Sequence, residues 1–93
     1  MIVKSSKGSE FNVSENLSKD FRFMRAYAAM RSGDPERAVD GAVDVVALVF
    51  GKDEDRFLRE IAEEDGTAPV DRVFTELKFM LDQASGDKSL KNS

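Results

Sequence analysis

The apolar and polar positions of this chain follow a strand-like pattern at its start and a helical one afterwards. In "MIVKSSKGSEFNV", Ile2 and Val3 are β-formers, "KSSKGS" is turn chemistry around Gly8, and Phe11 and Val13 fall on one face. This predicts a short hairpin over residues 1–13. An isolated hairpin is marginal in water, so it must lie on the rest of the fold or be mobile.

From Ser14 onward the period is helical. In "SENLSKDFRFMRAYAAMRSG", Ser14 is the expected cap and Gly33 the stop. Leu17, Phe21, Met24 and Ala28 follow at i, i+4, i+7 and i+11, which predicts the buried face. A second helix, "DPERAVDGAVDVVALVFG", has Asp34 as cap, Pro35 at its first position and Gly51 at its end. Its apolar residues, from Val39 to Phe50, cover more than one stripe, so it is expected to be the central helix. Its valines and Gly41 weaken intrinsic helicity, so packing must hold it.

A shorter third helix, "DEDRFLREIAEEDG", is capped by Asp53 and stopped by Gly66, with Phe57, Leu58, Ile61 and Ala62 inward. The fourth, "APVDRVFTELKFMLDQASG", follows Pro69 and closes at Gly86, with Val70, Val73, Phe74, Leu77, Met80, Leu81 and Ala84 on one face. The expected architecture is mainly α: a single four-helix domain over residues 1–86 with an N-terminal β-hairpin. Residues 87–93 are expected to form a flexible polar tail.

Composition narrows the chemistry more than the fold. At 93 residues, a single domain buries roughly 60–65% of the surface its unfolded chain exposes. Seven Phe supply bulk for that one modest core. The chain has no Cys, His or Trp, which removes disulfides, thiol nucleophiles, Cys/His zinc sites and imidazole acid–base chemistry together. No nucleophile–base pair or phosphate-cradling glycine loop is present, so we expect no enzyme, no catalytic residue and no cofactor. The acidic stretches "KDEDR" and "AEEDG" lack the calcium-loop pattern, and no metal site is expected. Asp53, Glu54 and Asp55 open the third helix, where the dipole favours negative charge; Glu63, Glu64 and Asp65 close it, where the dipole disfavours them. That second cluster is either a solvated corner or an electrostatic partner site.

A net charge of −4 argues against a general nucleic-acid binder. Lys19, Arg22 and Arg25 on the outer side of helix one are expected to be a solvated face. The N-terminus shows no signal-peptide core and no apolar run reaches the roughly 18 residues of a membrane span, so a soluble, intracellular protein is expected.

The candidate partner-binding residues are the apolar ones that fall off the core faces. Phe23, Tyr27 and Met30 form a second stripe on helix one, either covered by the hairpin or serving as an oligomer or partner surface. Phe79 lies nearly opposite the Val70/Leu77/Leu81 face of helix four, with Met80 at its edge. Phe79 either contacts the tail or hairpin or is a protein-binding hot spot.

Taken in order, "KGSEFNV", "SKDFRFMRAYAAMRSGDPERAVD", "LVFG", "FLREIAEEDGTAPVDRVFTEL" and the terminal "KNS" span nearly the whole chain. This arrangement resembles the small tail assembly chaperones of long-tailed (siphovirus-type) bacteriophages, in their short form. The "D-G-x-x-P-V" segment between two helices is the most telling piece. The resemblance implies a non-enzymatic protein of the bacterial host cytoplasm that coats the tape measure protein and helps recruit major tail (tube) protein through an extended form. It also implies that the protein leaves before the virion is complete. It supplies no binding residues, so Phe23, Tyr27, Met30, Phe79 and Met80 rest on the helical wheel.

The family commonly makes its longer form by −1 ribosomal slippage near the end of the first frame. Leu90-Lys91-Asn92 can be encoded by A-AAA-AAC, a run on which such slippage occurs, so the "SLKNS" ending is read as a recoding site. The rival readings are a helical adaptor or regulatory domain, acting alone or as a homo-oligomer, and a structural head–tail joining protein.

Overall fold

The computed structural model describes residues 1–85. The expected helix stop at Gly86, the 87–93 tail and the Leu90-Lys91-Asn92 segment lie outside the described residues.

The two strands, β1 (Ile2–Lys4) and β2 (Glu10–Asn12), pair antiparallel with Val3 opposite Phe11. This register turns both side chains to the core, where Val13 joins them, and leaves Ile2 outside. Gly8 takes a φ of 91°, and its N–H donates to the Ser5 carbonyl at 2.9 Å to close the turn.

Among the described residues four α-helices follow: α1 (Phe21–Met30), α2 (Pro35–Phe50), α3 (Glu54–Ile61) and α4 (Val70–Ser85). The fold class is therefore as expected, mainly helical with a short N-terminal hairpin. The first helix differs from expectation. Residues Leu17–Lys19 form a separate 3-10 turn, and Ser14 accepts the Asn16 N–H in a local turn. The helix starts after Asp20, which has an extended ψ of 117° and accepts the Arg22 N–H at 2.8 Å. This break takes Leu17 out of phase with α1. The buried face is Phe23 and Ala26, while Phe21 is 74% exposed and Ala28 is outside.

The start of α2 is as its sequence dictates: Asp34 accepts the Glu36 N–H at 3.0 Å, Pro35 occupies the first turn, and Gly51 ends the helix at a φ of 52°. Gly41 lies buried where α2 crosses α1. A Cβ there would stand 2.7 Å from the Ala26 carbonyl oxygen and 2.8 Å from the Ala29 carbonyl carbon, so only glycine permits this approach.

A 3-10 turn (Gly51–Asp53) leads into α3, which ends at Ile61. Glu63, Glu64 and Asp65 therefore do not close a helix. They occupy a turn in which Gly66 (φ 90°) donates to the Glu63 carbonyl and Asp65 accepts the Thr67 N–H. Asp53 precedes α3 without capping it through its side chain, and instead pairs with Arg56 at 3.8 Å.

One core joins all these elements. At its centre Phe11, Phe50 and Phe57 bring together β2, α2 and α3: Phe50 stacks on Phe57 at 4.1 Å and Phe11 meets Phe50 edge-on at 5.2 Å. Leu77, Met80, Leu81 and Ala84 close it from α4. The hairpin is fastened to α3 and α4. Lys4 exchanges backbone hydrogen bonds with the Gln83 amide, Ser6 donates to Glu76, Ser9 to Glu60, and Arg56 donates to the Glu10 carbonyl. It is thus tied to the last two helices and not laid along a stripe of the first.

Candidate interaction surface

The structure divides the five candidate binding residues. Phe23 and Met80 are fully enclosed in the core. The wheel places Phe23 off the core face, either under the hairpin or on a partner surface, because it is anchored on Leu17, across the break at Asp20. Met80 stands three residues from Leu77 and four from Ala84, on the inward side of α4. Tyr27 and Met30 are half-buried against the core. The Tyr27 ring stacks on Phe23 at 5.5 Å, and the Arg31 guanidinium lies 5.4 Å from it. With Phe74, Lys78 and Asp82 these residues line a cleft between α1 and α4. Phe79 is 46% exposed, on the outer side of α4 as its position requires, but it does not line that cleft. The five residues do not form one patch.

The most apolar depression lies elsewhere. Val39, Ala42, Val43 and Val46 of α2, Leu58 of α3, and Val70 and Val73 of α4 line a shallow groove whose single polar side chain among the described residues is Glu54. Val43 is 62% exposed, Val70 52% and Val39 39%. The apolar periodicity predicts Val39, Val43 and Val70 inside, and the fold leaves them at the surface. The signal that could have found the groove was the excess breadth of the apolar face of α2. An apolar arc wider than one buried stripe marks either a central helix or a helix with an outward-facing apolar strip.

Charge is arranged unevenly. Arg22 is held by Asp20 at 3.2 Å, and the Arg25 guanidinium lies 5.7 Å from the Phe21 ring. The side-chain hydrogen bond from Arg22, helped by the Arg22 N–H, pulls the Asp20 carboxyl below the usual carboxylate range. The Thr67 backbone N–H, followed by the Thr67 side chain, does the same to Asp65. Among the described residues, no group of three or more acidic, Cys or His side chains could hold a metal ion, and no helix is long and apolar enough to cross a membrane.

No protein-family model, curated protein or solved structure matches the chain.

Proposed function

We propose that this protein is a tail assembly chaperone of a long-tailed bacteriophage, binding the tape measure protein in the host cytoplasm and helping to bring tail tube subunits to it. The order of sequence segments from the hairpin to the terminal Lys91-Asn92 suggests the family. The observation that carries the reading is apolar surface left outside a core that is already closed. Val43, Val70, Phe79 and Phe21 are all exposed, on three different helices, in a domain whose Phe11/Phe50/Phe57 centre needs none of them. Holding an extended apolar client takes such side chains, with surrounding charge for solubility. A longer form made by slippage at Leu90-Lys91-Asn92 belongs to the same proposal.

The test is co-expression with the tape measure protein encoded by the same phage. A chaperone keeps the client soluble, binds it in many copies per client by mass measurement, and is absent from purified particles. An adaptor gives a fixed low stoichiometry, and a joining protein stays in the particle; either result rejects the proposal. Expression of the native gene with its downstream DNA tests the recoding separately, through a peptide reading past Lys91-Asn92 into the −1 frame.

A further inference from the structure

The cleft between α1 and α4 gathers hydrogen-bond donors around an apolar floor. Tyr27, Met30 and the C-cap residue Arg31 line it from the α1 side, and Phe74, Lys78 and Asp82 from α4. Tyr27, Met30 and Phe74 are half-buried and packed against the core, so the floor is fixed in place. Arg31 and Lys78 are exposed.

The two cations of the lining have no counter-charge. Among the described residues Lys4, Arg22 and Arg56 sit in ion pairs, and Lys7, Arg59 and Arg72 donate to backbone carbonyls. The Arg31 and Lys78 side chains do neither; Arg31 lies over the Tyr27 ring, 5.4 Å from its centre. Among the same residues the Tyr27 hydroxyl has no hydrogen-bond partner. Asp82, the single acid of the lining, is already partnered. Unmatched donors beside an apolar floor are complementary to a carboxylate carried next to an apolar body.

The lining also selects among anions. Phe23 stacks on the Tyr27 ring at 5.5 Å and Arg31 lies over it, which leaves the Tyr27 faces no room for a nucleobase. The net charge of −4 opposes a phosphate backbone as well. The cleft measures about 490 Å³, within the roughly 300–1,000 Å³ of formed binding sites. Only two helices wall it, so it suits a side chain on a longer segment better than a small molecule that needs enclosure. Tyr, Phe, Met and Arg are the side chains that interface cores favour, and methionine adapts to an incoming ring.

We infer that this cleft binds an acidic–aromatic segment of a partner protein, with a Phe side chain on the Tyr27/Met30/Phe74 floor and flanking Asp or Glu carboxylates accepting from Arg31 and Lys78. The inference deepens the client-holding reading by naming the kind of segment held, and rests on that reading for the segment's origin.

Tyr27 is the only tyrosine of a chain without tryptophan, so its fluorescence reports on this cleft. The experiment titrates the full chain with a short peptide carrying Phe between Asp residues. One companion peptide has Lys for each Asp, and another has Ala for Phe. By calorimetry the parent peptide is expected to bind at least about tenfold more tightly than either companion, with affinity falling as salt rises. Its binding is expected to shift the Tyr27 emission. The combined Arg31→Glu and Lys78→Glu variant is expected to invert the preference and take the Lys-flanked peptide. Both positions are exposed, and thermal denaturation checks that the fold is retained.

Equal binding of the three peptides overturns the inference, as does an unchanged preference in the folded double variant. So does binding that leaves the Tyr27 emission unmoved, because the peptide then sits elsewhere. Tighter binding of a single-stranded oligonucleotide, or of phenylacetate alone, overturns it by naming another occupant. If the tape measure protein stays soluble with the folded double variant, the client-holding reading stands and the cleft assignment falls. If the parent peptide binds but the tape measure protein does not, the cleft stands and the client-holding reading falls.

Discussion

Ser6 donates both its backbone N–H (2.6 Å) and its hydroxyl (2.9 Å) to the carboxylate of Glu76, 70 residues further along the chain. Glu76 is buried, so this carboxylate is held in the fold by the turn of the hairpin. Hydrogen bonds to a charged group contribute about 1.5–3 kcal/mol. Glu76→Ala is therefore expected to lower the melting temperature by roughly 4–8 °C per kcal/mol lost, and to speed exchange of the Ser6 amide hydrogen. Glu76→Gln, which keeps one acceptor oxygen, should lose less. Unchanged melting and exchange in Glu76→Ala would mean that the turn is not fastened through this side chain.

Gly41 gives a second prediction. Its missing Cβ is what lets α2 approach the backbone of α1 at Ala26 and Ala29. In an open helix, Gly→Ala stabilises by roughly 1 kcal/mol through propensity. Here the overpacking, typically costing about 1–3 kcal/mol or more, should win. Gly41→Ala is expected to destabilise, by chemical denaturation, and a stabilised variant would refute the close crossing.

The two phenylalanines Phe23 and Phe79 should separate cleanly. Phe23→Ala empties a fully enclosed site and is expected to cost about 3–5 kcal/mol. Phe79→Ala removes a half-exposed ring and should stay within about 1 kcal/mol of the parent. The same pair read in the co-expression assay distinguishes folding from binding. Phe79→Ala is expected to weaken client solubilisation at unchanged stability, and a Phe79→Ala that unfolds would place the ring in the core.

Asp20 and Arg22 predict an acid limb. The folded carboxyl is held below its ordinary value of 3.8 by Arg22, so the unfolded chain binds a proton more readily than the folded one. The stabilisation is complete above that ordinary value and is lost as the pH falls through the lower, folded one. Asp20→Asn keeps a capping oxygen but does not titrate. Melting temperature should fall more steeply with acid for the parent than for Asp20→Asn, and parallel curves would refute the assignment. Asp65, lowered by the Thr67 N–H, adds in the same direction.

Signals that act over one or two turns were legible in the sequence. Asp34, Pro35 and Gly51 delimit α2 as their chemistry requires, and Phe79 faces outward on α4 as the wheel places it. Asp20 was harder, because an aspartate five residues inside an apolar period reads equally as a solvated helical position. Only its extended backbone shows that α1 restarts there, and the exchange of Phe21 for Phe23 follows from it. Gly41 read locally as a weakness of α2, since its use depends on a neighbour that the local pattern does not name. The groove escaped for a related reason. Val43 and Val46 are the same residue type on one helix, and only the placement of α3 and α4 decides that one is covered and the other is not.

The fasteners of the hairpin have a consequence in time. They join residues 4–10 to residues 56–83, so the hairpin has its full set of partners only after α4 has been synthesised. At roughly 5–20 residues per second, the 70 residues between Ser6 and Glu76 take about 4–14 s to translate. The equilibrium cost of closing so long a loop is small, since each doubling of length adds only about 0.6 kcal/mol; the delay is kinetic. Through it, Val3 and Phe11 can meet Phe50 and Phe57 but not Leu77, Met80 and Leu81, so the hairpin waits on an incompletely closed core.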